Sequence, residues 1–341
     1  MARIYQAIRE PDECLGHQLA ADASIGIAMA PQDGTDLDQL LKNADLAMYG
    51  AKAEGRRTHR FFEPEMDAHV KARRVLELDL RRAISAGGFE LYYQPLVNLR
   101  DNAVAGCEAL LRWRHPQRGM ISPAEFVLVA EETGLINQLG EWVLTEACAE
   151  AATWPDHVKV AVNVSPIQFR SQTLALKVAA ALAGSGLPAS RLELEITEAV
   201  LIRDDEAALA ILHQLRAIGV RIALDDFGTG YSSLSYLQRF PFDKIKIDRC
   251  FVTDIAKPGG SSSIVQALVN IAAARNVTTT TEGVETQQQL DVLRTLGCAE
   301  IRGYLFSPAR PAGEVKRLLR SRQQHAVAVA QRMPRQRMPS G

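Results

Sequence analysis

Five acidic residues, one asparagine and one lysine stand at or near the ends of short runs rich in β-branched residues. They are Glu108, Asn163, Glu195, Asp225, Asp226, Lys246 and Glu282. Most successive runs are separated by the length of one strand and one helix, which is the repeat of a βα barrel. A barrel gathers the carboxyl ends of its strands into one ring, so side chains remote in sequence meet in one pocket. Because carboxylate and amide oxygens bind hard divalent cations, the spacing predicts a metal site.

The elements that must position these side chains begin near Glu90. Patterning predicts eight strands, at about 90–98, 103–110, 158–165, 191–197, 221–226, 243–248, 277–282 and 300–306. Eight strands that alternate with helices favour a closed barrel over an open sheet. Only the turn 100–102 joins the first two strands, which is too short for a parallel crossover. The predicted fold class is α/β, a modified (βα)8 TIM-type barrel with an antiparallel first strand, plus a partial α+β segment at the N-terminus.

The alternation within single strands predicts which side chains face the barrel interior. In the run 158–165 the valines share one parity, and Asn163 belongs to the other. The runs that contain Glu195 and Lys246 separate in the same way. The aliphatic faces should meet the helices, so Asn163, Glu195 and Lys246 should point into the lumen near its mouth. Charges there are costly unless they are paired or bound to metal.

Several candidates also have an ordinary structural interpretation. Adjacent Asp225 and Asp226, before a glycine-rich stretch, suit the bridging of two cations, but they also suit an N-cap and a solvated turn. Glu198 is either an anchor for the next loop or a first-turn helix charge. Asn163 is either a ligand or a turn residue.

The remaining candidates are equally open when each is taken alone. Lys246 would orient an attacking water or stabilise phosphate charge, or it would form a salt bridge within the barrel. Glu108 and Arg112 would supply a metal ligand and a phosphate-binding guanidinium, or a surface ion pair. Glu282 and Glu285 would bind metal or act as caps. Taken together, compatible groups at six strand ends favour the functional interpretation.

Composition excludes several classes of protein. Apolar residues make up 47% of the 341 residues, enough for a large core, and the net charge of −1 offers no bulk attraction to DNA, RNA or membranes. No apolar run is long enough to span a bilayer, and no signal peptide is visible. Five scattered cysteines predict reduced, mostly buried thiols and a cytoplasmic location: Cys14, Cys107, Cys148, Cys250 and Cys298.

The chain outside the barrel has its own organisation. Residues 1–61 predict a helix, a strand at about 23–30 and a second helix from 37 to about 54. Residues 62–86 predict a connecting helix, and 87–320 the barrel. Residues 321–341 carry Gln, Arg, Pro and Met with little pattern, which predicts a disordered tail.

These motifs resemble the EAL-domain family of bacterial cyclic di-GMP phosphodiesterases over roughly residues 70–320. The matching stretches begin at Tyr92-Tyr93-Gln94-Pro95, Glu108-Ala109-Leu110, Ser122-Pro123-Ala124-Glu125-Phe126, Asn163-Val164-Ser165, Glu195-Ile196-Thr197-Glu198, Asp225-Asp226-Phe227-Gly228, Lys246-Ile247-Asp248 and Glu282-Gly283-Val284-Glu285. The resemblance implies hydrolysis of cyclic di-GMP to linear pGpG with two Mg²⁺ or Mn²⁺ ions. It also implies dimerisation through the barrel as an expectation.

The resemblance further implies a role for each residue. The metal ligands would be Glu108, Asn163, Glu195, Asp225, Asp226 and Glu282. Lys246 would assist the nucleophilic water, with Glu108 and Glu282 also in the catalytic group. Gln94 and Arg112 would contact substrate, Glu198 would brace the loop 226–233, and Glu285 would support the site from outside the ligand set.

One residue departs from the family pattern. Arg302 stands before Gly303-Tyr304, where the family usually has Gln. Arginine can bind phosphate but cannot accept a hydrogen bond, and its charge would oppose a nearby metal. Arg302 is therefore predicted to bind substrate, at some cost to activity. The alternative function is a catalytically inactive cyclic di-GMP receptor that acts through partner contacts, whereas a sugar-phosphate barrel enzyme would not explain the spaced acids.

Residues 1–61 resemble the C-terminal part of a GGDEF diguanylate cyclase domain. The resemblance rests on Ser24-Ile25-Gly26-Ile27-Ala28, Asn43-Ala44-Asp45-Leu46-Ala47-Met48-Tyr49, Ala51-Lys52 and Gly55-Arg56. The family's signature motif does not occur, and Gly87-Gly88-Phe89-Glu90 is neither that motif nor in its place. Cyclase activity is not expected, and the partial sheet is predicted to leave its strand exposed.

Overall fold

Eight strands close a barrel in the second of two units into which the chain divides, Met1–Leu80 and Arg81–Gly341. The computed structural model describes residues 2–9, 12–14, 17–19, 22–53, 57–203, 205–228, 239–257 and 259–321. Its strands are β1 Asp12–Cys14, β2 His17–Leu19, β3 Ile25–Ile27, β4 His59–Phe61, β5 Phe89–Asn98, β6 Val104–His115, β7 Gly119–Ile121, β8 Lys159–Asn163, β9 Leu192–Thr197, β10 Arg221–Phe227, β11 Lys244–Ile247, β12 Thr278–Thr281, β13 Glu300–Ile301 and β14 Arg310–Pro311.

The barrel runs in the order β5-β6-β8-β9-β10-β11-β12-β13 and closes where β13 pairs with β5. Strand β5 is antiparallel to both of its neighbours in the ring, while the pairs from β6 through β13 are parallel. The prediction of a modified barrel with an antiparallel first strand is confirmed. Because the parallel strands share one direction, their carboxyl ends open at the same mouth.

Two predicted strands have different lengths in the structure. Strand β6 continues to His115 because the short strand β7 pairs with its end. Strand β13 stops at Ile301, since the following residues turn back, and the Leu305 N–H bonds to the carbonyl of Val284. The pairing of β14 with β5 was not predicted, because a run of two residues carries no periodicity.

The helices of the second unit cover the outside of the barrel strands. They are Pro123–Glu132, Ile136–Ala151, Pro166–Phe169, Leu174–Ser185, Ala199–Arg203, Asp205–Ile218, Ser262–Ala274 and Gln287–Thr295, and residues 312–321 are also helical. The first unit contains the helices Ala2–Arg9 and Leu37–Ala53, and the helix Pro64–Ala86 spans the division between the units. The aliphatic parity of the strands is buried against the helices of the second unit, as Val160, Leu194, Ile196 and Ile247 show. Alternation in the sequence therefore identified the outward face of these strands correctly.

The other parity places charged residues inside the barrel, near the amino ends of the strands. The Lys244 ammonium lies 2.7 Å from Glu193 and 2.8 Å from Glu300. Glu300 also accepts a hydrogen bond from the hydroxyl of Thr280, and Arg221 lies 3.8 Å from Glu193. Lys244, Glu193 and Glu300 are all buried, so each charge is compensated by the others rather than by water. This group forms the floor of the lumen.

The first unit contains two small sheets. Strands β3 and β4 pair in parallel, and β1 and β2 form an antiparallel pair. Sequence periodicity gave β3 and the helix Leu37–Ala53 but missed the three-residue strands β1, β2 and β4. Gly26 lies so close to that helix that a Cβ would meet the carbonyl oxygen of Ala44 at 1.8 Å, which explains the glycine.

Other predictions concern segments outside the barrel. Cys107, Cys148 and Cys298 are free, buried thiols, and Cys250 is free and exposed. Among the described helices, none combines the length and the apolarity that crossing a membrane requires. The predicted tail falls, beyond Ser321, outside the described residues.

Replacing Lys244 with Met should destabilise the barrel by about 3–5 kcal/mol, since Glu193 and Glu300 would lose the ammonium that compensates their buried charges. Lys177→Met is the matched control, because Lys177 pairs with Glu141 on the surface and such pairs contribute about 1 kcal/mol or less. Urea unfolding followed by tryptophan fluorescence reports on the barrel unit, which contains all three tryptophans. Equal losses in both variants would contradict the role of the floor.

Candidate active site

The lysine at position 246 is the centre of a buried ionic cluster at the barrel mouth. Its Nζ atom lies 2.5 Å from Glu195, 2.8 Å from Glu282, 3.0 Å from Asp225 and 3.6 Å from Glu108. The Lys246 side chain is 1% exposed. Four carboxylates from separate strands therefore converge on one ammonium group that water does not reach.

The strand order accounts for this convergence. Glu195, Asp225 and Lys246 lie near the ends of β9, β10 and β11, and Glu282 directly follows β12. Each belongs to the inward parity of its strand. Glu108 is on β6, and Asn163, the last residue of β8, donates a hydrogen bond of 2.8 Å from its amide to Oε1 of Glu108. Asn163 is in register with Glu195, so the ring is continuous from β6 to β12.

A β-bulge interrupts strand β10 at its two adjacent acids, Asp225 and Asp226. The register between β10 and β11 shifts between Leu224 and Phe227, and Asp226 has a φ of 53°. Without that extra residue, Asp225 and Asp226 would point to opposite faces. Aspartate tolerates the left-handed region better than most residues. Partial burial and the nearby charge of Asp225 raise the pKa of Asp226.

Arg302 is the second cation of the cluster. Its Nη1 atom contacts Oε2 of Glu108, and its Nη2 atom lies 2.5 Å from Oε2 of Glu282. The backbone at this position is fixed on both sides, because the Arg302 N–H bonds to the carbonyl of Thr281 and the Arg302 carbonyl accepts from Val284. The predicted substrate-binding arginine is thus placed against two of the predicted metal ligands.

Burial shifts the acid–base properties of the cluster. It raises the pKa of Glu195 to about 8, with the ammonium of Lys246 acting in the opposite direction. Burial also raises the pKa of Glu282. Burial by itself lowers the pKa of Lys246, but the carboxylates of Glu195, Glu282 and Asp225 raise it well above its ordinary value. Burial lowers the pKa of Arg302 to about 10, which leaves its charge at neutral pH.

The other predicted site residues surround this cluster at different depths. Gln94 is buried opposite Glu108 in the β5–β6 register, and its amide donates to the carbonyl of Ser307. Arg112 lies farther along β6, with its guanidinium over the ring of Tyr92.

The two glutamates predicted to support the site lie in different environments. Glu198 is buried and accepts a hydrogen bond of 3.4 Å from the N–H of Gly228, at the start of the loop it was predicted to brace. The loop itself, beyond Gly228, lies outside the described residues. Glu285 is exposed, and its backbone N–H bonds to the side chain of Gln289. The structure therefore connects Glu198, but not the Glu285 carboxylate, to the site.

Sequence reasoning missed two features of the site. The floor group around Lys244 was not singled out, although Glu193 precedes Glu195 by two residues and Lys244 precedes Lys246 by two. That spacing places each pair on one face and was the available signal. The bulge at Asp226 had a weaker signal, because two functional acids in succession require a break in alternation.

The donor set fits a hard divalent cation. It consists of carboxylate and amide oxygens, and Oε1 of Glu195 has no hydrogen-bond partner within the described ranges. In the part of the chain that the structure describes, no three His, Cys, Asp or Glu side chains are arranged as a metal-binding group. The carboxylates turn toward Lys246 and Arg302 instead, so a metal would compete with these two cations.

Comparison with known proteins agrees with this geometry. The EAL domain family matches residues 77–309, and the diguanylate cyclase GGDEF domain family matches residues 1–58. A solved structure described as the PaMucR phosphodiesterase in complex with c-di-GMP has a TM-score of 0.68 and 44% identity, covering 71% of this chain and 99% of that one. The FimX EAL domain from Pseudomonas aeruginosa bound to c-di-GMP has a TM-score of 0.64 and 26% identity, covering 69% of this chain and 96% of that one.

Curated relatives are longer proteins. The bifunctional diguanylate cyclase/cyclic di-GMP phosphodiesterase MucR of Pseudomonas aeruginosa is 44% identical over 317 residues, which are 92% of this chain and 46% of MucR. The cyclic di-GMP phosphodiesterase NbdA of the same organism is 39% identical over 323 residues, 94% of this chain and 41% of NbdA. This chain therefore spans less than half the length of these relatives. Both predicted resemblances are confirmed, and the chain belongs to the EAL domain family, with a segment of a GGDEF domain before the barrel.

Proposed function

We propose that this chain hydrolyses one phosphodiester bond of cyclic di-GMP to give linear pGpG, in a reaction that requires two divalent ions, Mg²⁺ or Mn²⁺. The observation that supports this proposal best is the convergence of Glu108, Glu195, Asp225 and Glu282 at the mouth of the barrel. Relatives named as cyclic di-GMP phosphodiesterases match more than nine tenths of the chain, which supports the substrate.

The ligands of the metals would be Glu108, Asn163, Glu195, Asp225, Asp226 and Glu282. Bound divalent ions would neutralise the phosphodiester, lower the pKa of a coordinated water and stabilise the leaving oxygen. Without metal, the carboxylates of the cluster outnumber its cations, and an anionic phosphodiester would be repelled. The requirement for metal follows from this imbalance as much as from the chemistry of the water.

Three side chains would contribute to catalysis or substrate binding because the protein holds them in fixed positions. Lys246 is held by several carboxylates at once, so its ammonium is a fixed positive charge beside the place where a nucleophile would be oriented. Gln94 is held by its bond to Ser307 and would present its amide oxygen to substrate. Arg112 is half-buried nearer the mouth and would contact a second anionic group of the dinucleotide.

The second candidate function is a cyclic di-GMP receptor that does not hydrolyse its ligand. It is favoured by one observation, the placement of the Arg302 guanidinium between Glu108 and Glu282. Incubation of the purified chain with cyclic di-GMP and Mg²⁺ or Mn²⁺, with pGpG followed by chromatography, separates the two candidates. Product that chelator abolishes supports the phosphodiesterase. Binding detected by calorimetry without product would reject it in favour of the receptor.

Glu108→Gln should reduce kcat by at least about 100-fold. The substitution removes a carboxylate charge that would bind a metal ion and that compensates the charges of Lys246 and Arg302. The matched control is Glu141→Gln, which removes an exposed carboxylate paired with Lys177 on the surface. Initial rates of pGpG formation at saturating Mn²⁺ provide the measurement. Full activity of the Glu108 variant would defeat the assignment.

The affinity for Mn²⁺ should increase as the pH rises from 6 to 8 and then level off. The pKa of Glu195 is raised to about 8, so the metal must displace a proton below that pH. The free energy of unfolding of the metal-free protein should decrease as the pH rises from about 4.5 to 8. The folded state binds the Glu195 proton more tightly than the unfolded state does, and this advantage is lost as the proton leaves.

Calorimetric titration of Mn²⁺ and thermal unfolding in chelator, both across this pH range, provide the two measurements. An affinity that does not change between pH 6 and pH 8 would mean that Lys246, 2.5 Å away, already keeps Glu195 ionised.

A further inference from the structure

We propose that the guanidinium of Arg302 takes the place of one of the two divalent ions, so that this chain binds a single divalent ion at the barrel mouth. The inference rests on the proposed function for its substrate and its carboxylates, and it amends the number of divalent ions from two to one, with the guanidinium of Arg302 in the place of the second. Arg302 would then be a fixed cation that determines how many metal ions the site binds.

The contacts of Arg302 carry this inference. One guanidinium nitrogen contacts Glu108 and the other lies 2.5 Å from Glu282, so a single planar cation bridges two carboxylates from strands on opposite flanks of β5 and β13. The Arg302 side chain is 14% exposed, and those of Glu108 and Glu282 are 3% and 12% exposed. Water therefore offers little alternative solvation to either partner, and the bridge is an internal ion pair rather than a surface contact.

The backbone directs the guanidinium into the site. The segment is hydrogen-bonded to Thr281 on one side and to Val284 on the other. The next residue is Gly303, where a Cβ would meet the carbonyl oxygen of Val284 at 2.0 Å, so the chain approaches its neighbour as closely as a backbone can. Because these contacts hold the main chain, release of Glu108 and Glu282 would require rotation of side chains rather than movement of the backbone at Arg302.

The oxygens that Arg302 does not contact form a second group. Oε1 of Glu195 has no hydrogen-bond partner in the described ranges, and Asp225 and Asp226 lie on the neighbouring strand β10. The ammonium of Lys246 lies between Glu195 and Asp225, 2.5 Å and 3.0 Å from them. Asn163 stands in register with Glu195 on β8. These residues on three adjacent strands supply enough oxygen donors for one hard cation, whereas the Glu108–Glu282 side is held by the arginine.

The net charge of the cluster supports the same inference. The cluster contains five carboxylates, Lys246 and Arg302, which gives a net charge of −3 when all are ionised. One divalent ion leaves a charge of −1 and two leave +1, whereas a neutral residue at position 302 would leave −4, which two divalent ions balance. The guanidinium therefore adds one positive charge that disfavours a second divalent ion.

The test counts metal ions in the absence of substrate. The full chain is stripped with chelator and titrated with Mn²⁺, with bound ions counted by calorimetry and by the loss of the free-Mn²⁺ electron paramagnetic resonance signal. We expect one tightly bound ion in the parent chain and two in Arg302→Gln. Arg302→Lys should keep one, because it retains the charge. Two ions of similar affinity in the parent chain would overturn the inference, as would a single ion in Arg302→Gln.

Two further variants keep the result interpretable. Arg302→Met removes the charge while retaining a long side chain, and it should also bind two ions. It takes the place of Arg302→Gln in the test if that variant fails to fold. Arg294→Gln is the matched control, since Arg294 is an exposed arginine that bonds to Asn102 in the turn between β5 and β6. It should bind one ion, like the parent chain. Tryptophan fluorescence verifies that each variant retains the folded barrel.

Hydrolysis is measured separately, so the two proposals can fail independently. A parent chain that binds one ion while neither it nor Arg302→Gln hydrolyses cyclic di-GMP would retain the inference and reject the proposed function. A parent chain that hydrolyses cyclic di-GMP with two ions bound would do the reverse. If the parent chain hydrolyses cyclic di-GMP with one ion bound, Arg302→Gln should increase turnover at saturating Mn²⁺, on the order of tenfold or more.

Discussion

The constraint on which this barrel depends is the compensation of charges that its strands turn away from water. Lys246 is 1% exposed and lies among four carboxylates, whose buried charges would be costly without the ammonium and the guanidinium of Arg302. The same ammonium would be equally costly without the carboxylates. The barrel mouth is thus a set of mutually dependent charges, and its geometry is fixed by the need to keep each one paired.

A second group of charges beneath it shows that this arrangement is layered. Lys244 pairs with Glu193 and Glu300 two residues below the level of Lys246 and Glu195 on the same strands. The floor therefore connects β9, β11 and β13 by ion pairs, and β9 and β11 also carry Glu195 and Lys246 of the site. The bulge at Asp226 is the local departure, and it occurs where a strand must present two acids in succession.

Arg302 adds a cation to a cluster that a family of metal-dependent enzymes would otherwise fill with metal. An arginine in such a place has two consequences, since it stabilises the carboxylates in the absence of metal and competes with metal for them. The position is reached by a backbone that Thr281, Val284 and Gly303 hold in place, so the competition is built into the fold. A single arginine at this position would in this way alter how the carboxylates of the site bind metal.

The amino-acid sequence by itself determined the strands of the barrel, the antiparallel first strand and the identity of the converging acids. Alternation within a strand and the spacing between strands are properties of the linear sequence and need no knowledge of the fold. Only the tertiary structure decided what those acids contact. Lys246 had two interpretations from sequence, and its four carboxylate neighbours became apparent once β6, β9, β10 and β12 closed around it. Arg302 was predicted to bind substrate, yet its guanidinium lies against Glu108 and Glu282. The physical reason is that a side chain's partner depends on strand order, register and bulges, which no single stretch of sequence specifies.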